Sequence, residues 1–194
     1  MSRWEPNARE RLVIAAVDLF SEQGYDETTV TQIADRAGVT KSTFFRHFPD
    51  KRELLVAGQA TLSRLLIEGI ASAPAEVGPL EAIAAGLIRA SETLGPVNHE
   101  LGPRLAALIA SSAELQERSI LKSVGLANAM SEALLARGVP HAIGRLAAEM
   151  GVLAFHEGFV AWSSRPGGDG EELARLAVAA LDELRAAAAF LAEP

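Results

Sequence analysis

The 194 residues of this chain are enough for one sizeable core, or for a small head on a larger body. Hydrophobic residues make up 49% of it and aromatic residues only 5%, which argues against strands and predicts an all-α fold built on Ala, Leu, Val and Ile. The lack of cysteine excludes disulfides and thiolate metal sites, and the net charge of −7 argues against a nucleic-acid partner unless basic residues are gathered on one face.

The N-terminal segment lacks the unbroken apolar core of a signal peptide, because Glu5, Arg9, Glu10 and Arg11 interrupt it. No charge-free apolar run approaches the roughly 20 residues that a membrane span needs. The sequence therefore predicts a cytoplasmic protein.

Three short helices are expected in the first part of the chain. Apolar residues recur there with helical spacing, and glycine and hydroxyl residues stand where helices would end and begin. The predicted limits are residues 8–23 with Gly24 after them, from Thr28 or Thr29 to Gly38, and from Thr40 to about Phe48.

Longer helices are expected after these, separated by stretches rich in proline and glycine. With about nine helices in all, the chain divides into a small helical head, residues 1–54, and an all-α body, residues 55–194. The predicted helices are 51–71, 80–94, 98–111, 114–137, 141–164 and 171–192, and the predicted breaks are 71–79, Gly95–Pro96, Gly102–Pro103, Gly138–Pro140 and 165–170.

Positive charge is concentrated in one short segment. Residues 40–52 contain four bases and one acid, so this segment carries +3 and the rest of the chain carries −10. A basic face on an acidic body is compatible with binding to phosphates.

The segment from Thr29 to Phe48 is a predicted helix, glycine turn and helix. In a DNA-binding helix-turn-helix the second helix enters the major groove, and the first braces it across the backbone. Apolar residues of this segment are expected to anchor the second helix to the core of the head. They are Ile33, Ala34, Val39, Phe44 and Phe48.

The opposite face of the second helix carries side chains suited to base edges, since lysine donates to guanine, hydroxyls are adaptable and an aromatic ring packs on a thymine methyl. Helix N-termini and bases beyond the reading face are suited to phosphates. The same residues are also compatible with plain helix caps and a solvated basic face. The expected outward residues are Lys41, Ser42, Thr43 and Phe45, and the expected phosphate contacts are Thr29, Thr40, Arg46, His47 and Lys51.

The stretch GYDETTVTQIADRAGVTKSTFFRHFPDKREL, residues 24–54, resembles the DNA-binding head of the TetR family of transcriptional regulators. The similar positions are a Gly-aromatic pair, paired threonines, Ile-Ala, Ala-Gly-Val, an aromatic pair, His-Phe and Lys-x-x-Leu. The stretch LVIAAVDLFSEQGY extends the resemblance back through the first helix. The resemblance covers the head; the body agrees with the family only in length and helicity.

One position departs from the family pattern: Phe45 stands where the family most often has tyrosine. Without that hydroxyl, Phe45 is expected to act by packing. Arg3 and Arg9 are further candidates for phosphate contact. The resemblance implies that Thr31, Lys41, Ser42, Thr43 and Phe45 meet bases or the groove, and that Thr29, Thr40, His47 and Lys51 meet phosphate.

The predicted helix 141–164 is apolar almost all round, and such a helix is buried on both sides. One face is expected on the core and the other, with the last helix, on a second copy of the chain. A homodimer also agrees with the TetR resemblance, and the alternative is a monomer whose last helices close its own core. The expected interface residues are Leu146, Met150, Leu153, Leu173, Leu176 and Leu184.

Members of the TetR family commonly bind a small molecule in the body and then release DNA, so the resemblance implies an effector. Polar or aromatic residues within the apolar helices are candidate pocket groups, although each also suits a satisfied buried group or the surface. The effector is expected to be hydrophobic with one or two polar anchors, and no cofactor is expected. The candidate residues are Glu92, Arg104, Asn128, His156 and Trp162.

The sequence therefore predicts a homodimeric transcriptional regulator, a repressor, that binds a pseudo-palindromic operator and is released by a small-molecule effector. The alternative is a small-molecule sensor or protein-interaction module whose head does not read DNA. An enzyme is not expected, because His99, His141 and His156 lack metal-binding spacing and no nucleophile–base arrangement or glycine-rich phosphate loop occurs.

Overall fold

A computed structural model describes residues 7–54 and 58–191. These residues form nine α-helices and a short 3-10 helix, Arg52–Leu54, and contain no strand, so the predicted all-α fold is confirmed. Arg3, a candidate phosphate contact, lies outside the described residues. The helices are α1 (Ala8–Gln23), α2 (Val30–Arg36), α3 (Lys41–His47), α4 (Gln59–Ser72), α5 (Pro79–Ser91), α6 (Pro96–Ser111), α7 (Ala113–Ala136), α8 (His141–Ser163) and α9 (Gly170–Leu191).

The helices begin and end where their free backbone groups find partners. At the start of α1, Asn7 Oδ1 accepts from the Glu10 N–H at 3.0 Å, and the Glu10 carboxylate accepts from the Asn7 N–H at 3.3 Å. At the end of α7, Gly138 has φ 84° and the Val139 N–H donates to the Leu134 carbonyl at 3.1 Å. These local signals are visible in the sequence, so most predicted limits lie close to those of the structure.

Two predictions about breaks were wrong. The fourth helix was expected over 51–71, but α4 begins at Gln59 after Gly58, whose φ of 91° is unsuited to a helix. The pair Gly102–Pro103 was expected to break the chain, yet both residues lie inside α6. Gly102 allows α6 to pack closely against Ser163 at the end of α8, because a Cβ at position 102 would lie only 2.8 Å from Ser163 Cβ.

The chain forms two compact units. The head unit consists of the described residues up to Leu54 together with Arg104–Ile120, and the body unit of Gly58–Pro103 with the described residues from Leu121 onward. Helices α6 and α7 therefore contribute to both units. The predicted functional division at residue 54 concerns what each part does and stays a prediction.

The core of the head unit contains large side chains from α1, α2 and α3. Leu12 and Phe20 from α1, Ile33 from α2, and Phe44 and Phe48 are each at most 2% exposed. These burials fix the three short helices against each other, which α2 and α3 need because helices of seven residues are not stable alone.

The core of the body unit is aliphatic and packs α4, α5, α8 and α9 with parts of α7. By length and composition alone, the stretch from Arg52 to Ser72 is apolar enough to cross a membrane. Its apolar residues Leu65, Leu66 and Ile70 are buried in this core, as expected for a core helix of a folded domain.

Helices α8 and α9 approach each other closely at Gly158, where a Cβ would lie 2.6 Å from the backbone N and Cα of Ala177. Gly144 in the same helix offers a matched control, since the nearest atom to a Cβ there would be 3.6 Å away.

We therefore expect Gly158→Ala to lower the free energy of unfolding by about 1–3 kcal/mol through overpacking. Gly144→Ala should raise it by up to about 1 kcal/mol, because alanine favours helix over glycine. Urea unfolding followed by circular dichroism measures both changes. Equal effects of the two substitutions would show that the close approach at Gly158 is absent.

Candidate nucleic-acid interface

Helix α2 begins with a capping box. Thr29 Oγ1 accepts from the Gln32 N–H at 3.2 Å, and Gln32 Oε1 accepts from the Thr29 N–H at 2.8 Å. Of the two threonines that sequence reasoning left open as caps, Thr28 is buried and donates to the Gly24 carbonyl at 2.7 Å instead. The start of α2 is thus fixed by Thr29, and Thr31 lies exposed on its first turn.

The turn between α2 and α3 depends on glycine. Gly38 has φ 66°, a conformation that residues with a Cβ rarely adopt. The Val39 N–H donates to the Ala34 carbonyl at 3.0 Å and the Gly38 N–H to the Asp35 carbonyl at 3.1 Å. This pair of bonds ends α2 as a Schellman motif and directs the chain into α3.

Helix α3 has one buried and one exposed face. Phe44 is fully buried and meets Phe48 at 5.8 Å between ring centres, whereas the next residue, Phe45, is 49% exposed. Lys41 and Ser42 are exposed too, and Lys41 Nζ lies 6.0 Å from the centre of the Phe45 ring. The structure therefore exposes Lys41, Ser42 and Phe45, and their contact with bases stays a prediction.

Hydroxyl groups link the start of α3 to its last turn. Thr40 Oγ1 accepts from the Thr43 N–H at 3.1 Å, and the two threonine hydroxyls lie 3.0 Å apart. Arg46 Nη2 donates to Thr43 Oγ1 at 2.9 Å. This chain of bonds holds the exposed Arg46 along the helix, next to the outward face.

Lys51 braces the loop between α1 and α2. Its ammonium donates to the carbonyls of Tyr25 at 2.7 Å, Thr28 at 3.1 Å and Asp26 at 3.3 Å, and lies 4.2 Å from the centre of the Tyr25 ring. An ammonium has three hydrogens, so every donor has an acceptor within the head unit. A basic residue after a turn does not show from sequence alone that it braces a distant loop. The expected contact of Lys51 with phosphate stays a prediction.

Arg52 is balanced by acids. It lies 2.6 Å from the carboxylate of Asp50 and 3.8 Å from that of Glu114. The hydrogen bonds from the Arg52 side chain hold the pKa of Asp50 below its usual value. Among the residues that the structure describes, Lys41 and Arg46 form no such ion pair, so the positive surface centres on α3.

Residues of α6 and α7 complete the head unit. Arg104 Nη2 lies 2.7 Å from Asp18 Oδ1, and the Tyr25 hydroxyl donates to Glu114 Oε1 at 3.4 Å. Burial and the neighbouring Glu114 raise the pKa of the Tyr25 hydroxyl, so this donor keeps its proton. Arg104, a predicted pocket residue, is thus paired within the head unit.

The other predicted pocket residues lie in the body unit. Glu92 is exposed and accepts from Arg89 at 2.8 Å, Asn128 and His156 are exposed, and Trp162 is completely buried. The role of the five residues in a pocket stays a prediction.

The predicted interface residues fall into three groups. Leu146 and Leu153 are 63% and 46% exposed, and the partly buried residues are Met150, Leu176 and Leu184. Leu173 differs from the prediction, because it is fully buried and belongs to the core of its own chain. Sequence reasoning omitted Ile143, which is 51% exposed and precedes Leu146 by the helical spacing of three that identifies one face.

Residues 12–57 match the family described as bacterial regulatory proteins, tetR family. This segment belongs to the TetR family. The resemblance seen in residues 24–54 is therefore confirmed.

The TetR relative TcmR of Streptomyces glaucescens, a helix-turn-helix transcriptional regulator, is 38% identical over 82 residues. The match covers 42% of this chain and 36% of TcmR, so the chain aligns with little more than a third of that relative.

Two solved structures share the fold along most of the chain. SmeT, the repressor of the Stenotrophomonas maltophilia multidrug efflux pump SmeDEF, in its triclosan complex has a TM-score of 0.55 at 23% identity, covering 94% of this chain and 91% of SmeT. NalD, the secondary repressor of the MexAB-OprM multidrug efflux pump in Pseudomonas aeruginosa, has a TM-score of 0.53 at 21% identity, covering 91% of this chain and 96% of NalD.

The position of Lys51 leads to a test of its role as a brace. Lys51→Ala removes three hydrogen bonds to carbonyls, and we expect it to lower the free energy of unfolding of the head by roughly 1–3 kcal/mol. Lys41→Ala, which removes an exposed lysine of the same unit, should leave stability within about 0.5 kcal/mol. Thermal unfolding measures both; equal stability of the two variants would contradict the brace.

Proposed function

We propose that this TetR-family protein is a transcriptional repressor that binds a pseudo-palindromic DNA operator as a homodimer and releases it when a small molecule binds the body unit. The observation that carries the proposal is the orientation of α3, which buries Phe44 and exposes Lys41, Ser42 and Phe45 within a segment matched by the TetR family model.

The exposed face of α3 has the chemistry of direct readout. Lys41 donates to the O6 and N7 acceptors of guanine, and the hydroxyls of Ser42 and Thr43 adapt to either kind of base edge. Phe45 presents an apolar ring, which fits the methyl group of thymine. Thr31, on the first turn of α2, is placed beside the same groove in this proposal.

Phosphate contacts hold the helix in register in this proposal. Arg46 and His47 are exposed at the last turn of α3, and Arg46 is oriented by its bond to Thr43. Contacts of this kind set register without reading sequence. The remaining proposed phosphate contacts are Thr29, Thr40 and Lys51.

An apolar stripe on α8 supports the homodimer. Ile143, Leu146, Leu153 and Val160 follow one another on one side of the helix, each 46–63% exposed. Beside them lies a groove of about 460 Å³ lined by Ser123 of α7 and by residues of α8 that include Met150 and Leu153. A self-complementary stripe is the normal basis of a twofold dimer. Two heads then read half-sites about 34–36 Å apart.

The effector and the repressor assignment rest on the family. SmeT, which shares this fold, is a repressor, and its complex with triclosan contains a small molecule. A ligand that prefers the conformation unable to bind DNA shifts the population away from the operator-bound state. The aliphatic core of the body unit favours a hydrophobic effector, and a regulator of transcription in a bacterial cell acts in the cytoplasm.

Selection from a random duplex library at moderate salt tests readout by α3. We expect enrichment of a pseudo-palindrome by the purified protein. A protein whose head does not read DNA would enrich none and would show no salt-dependent binding.

Two variants separate base contacts from phosphate contacts on the selected operator. Lys41→Ala should weaken operator binding about tenfold and relax one base preference, while binding to random DNA changes little. Arg46→Ala should weaken both DNAs alike and reduce the salt slope by about 1. Equal losses on both DNAs for both variants would contradict this division of roles.

Leu146→Glu tests the dimer. We expect it to convert the dimer to a monomer. At a twofold contact the new carboxylate would be buried without a cation and would lie near the same carboxylate of the second subunit, which destabilises the dimer. Leu135 of α7 is 53% exposed and lies outside the stripe, so Leu135→Glu is the matched control. Sedimentation velocity measures the oligomeric state of both variants. If Leu146→Glu remained a dimer, the interface would not include this stripe.

A further inference from the structure

Within the part of the chain that the structure describes, three buried polar atoms of the body unit have no hydrogen-bond partner: Ser91 Oγ, His99 Nε2 and Trp162 Nε1. They come from three helices, since Ser91 ends α5, His99 is in the first turns of α6 and Trp162 is in the last turn of α8. Ser91 and Trp162 are completely buried. A buried polar group without a partner is costly, so three of them in one unit call for an explanation.

All three residues lie under the same loop, between α8 and α9. A Cβ on Gly168 would collide with Trp162 Nε1 and would lie 3.2 Å from His99 Cδ2. A Cβ on Gly170 would collide with the Ser91 carbonyl oxygen. Only glycine lets the loop backbone cover these groups so closely, and Gly167 before them has φ 66°.

Aromatic rings form the wall beside these atoms. The rings of His99 and Trp162 meet edge to face with centres 4.7 Å apart. Phe159 lies 5.5 Å from Trp162, and Phe155 lies 6.4 Å from Phe159 between ring centres. The surroundings of the polar atoms thus favour a flat, apolar molecule.

The polar atoms themselves specify one kind of group. An indole N–H only donates, whereas a neutral imidazole nitrogen and a serine hydroxyl can accept. A hydroxyl between the adjacent rings of Trp162 and His99 accepts from the indole N–H and donates to the imidazole nitrogen, so it satisfies both atoms. A methyl group in its place satisfies none.

We propose that Ser91, His99 and Trp162, covered by the glycine loop 167–170, form the polar end of a binding site for a small aromatic molecule with a hydroxyl group. The effector role of this ligand rests on the proposed function, whereas the binding site itself does not. Gly168 of this loop lies directly against Trp162 Nε1 and beside the His99 ring, so a ligand reaches these atoms by displacing the loop.

Phenol and toluene are the probes, because they differ only in hydroxyl against methyl. The readout is the indole N–H resonance of Trp162 in nitrogen-15 NMR spectra. The chain has two tryptophans, and Trp4→Phe leaves Trp162 as the single indole. At neutral pH phenol is uncharged, since phenolic groups have a pKa of about 10.

We expect phenol to shift the Trp162 resonance saturably and toluene to bind about tenfold more weakly. His99→Phe keeps a ring while removing its nitrogens, and should lower phenol affinity about tenfold. No shift with phenol, or equal affinities for phenol and toluene, would overturn the site.

Stability provides a second measurement. Ser91→Ala removes an unpartnered hydroxyl, so the ligand-free melting temperature should stay the same or rise by about 2–4 °C. If ordered water already satisfied the three atoms, Ser91→Ala would lower the melting temperature and phenol would leave the indole resonance unchanged. That result also overturns the proposal.

Operator binding distinguishes the site from the proposed function. Release of the selected operator by phenol, with no release by toluene at the same concentration, supports an effector site. Operator binding without any phenol site refutes this inference and leaves the regulator intact. A phenol site in a protein that enriches no operator refutes the proposed function and leaves the site intact. A phenol site that does not alter operator binding overturns the effector role.

Discussion

The burial of Phe44 is the contact on which the proposed DNA-reading surface depends. Helix α3 has seven residues, too few to be stable without tertiary contacts. Phe44 is completely buried and sits between the rings of Phe45 and Phe48, at 5.4 and 5.8 Å between centres. Because successive residues point about 100° apart around a helix, fixing Phe44 inward fixes its neighbours outward. A rotation of α3 by one residue would bury the reading face.

The cations of the head unit divide into those that hold the fold and those that face solvent. Lys51 is committed to three carbonyls, and Arg52 is paired with Asp50. Because the pKa of Asp50 is depressed, this pair stabilises the fold at neutral pH, and the stabilisation is lost only as the pH falls through that lowered pKa. The charge of residues 40–52 is therefore less available than its sum of +3 implies, and what remains is concentrated on α3.

The limits of the helices and the helix-turn-helix of the head could be predicted from the sequence, because they depend on contacts between residues close together in the chain. Thr29, Gly38 and Thr40 act on neighbouring backbone groups within a few residues, so their roles are visible in the sequence. Periodicity also separated Phe44 from Phe45. Contacts between distant parts of the chain were not predictable, because no local pattern encodes them. The bond of Lys51 to the Tyr25 carbonyl spans 26 residues.

The same limit explains the errors in the body. Residues 104–120 belong to the head unit through contacts such as that of Arg104 with Asp18, 86 residues away. Leu173 lies on an apolar helix with more than one buried side, and hydrophobicity alone does not tell a contact within the chain from one with a partner. The wrong prediction of a break at Pro103 also arises from contacts that the local sequence does not show. A proline predicts a helix end only where packing does not hold the helix together, and Pro103 lies inside α6.

The buried core of the body unit is largely aliphatic, which gives weight to its unpartnered polar atoms. Phenylalanine at position 162 would fill much of the same space without an indole N–H, and alanine at 91 would remove a hydroxyl that bonds to none of the residues that the structure describes. Packing alone therefore does not account for Ser91 and Trp162. Gly168 leads to the same edge of the indole, because any side chain there would collide with Nε1. In the proposed site this loop therefore covers the donor that the ligand hydroxyl would meet.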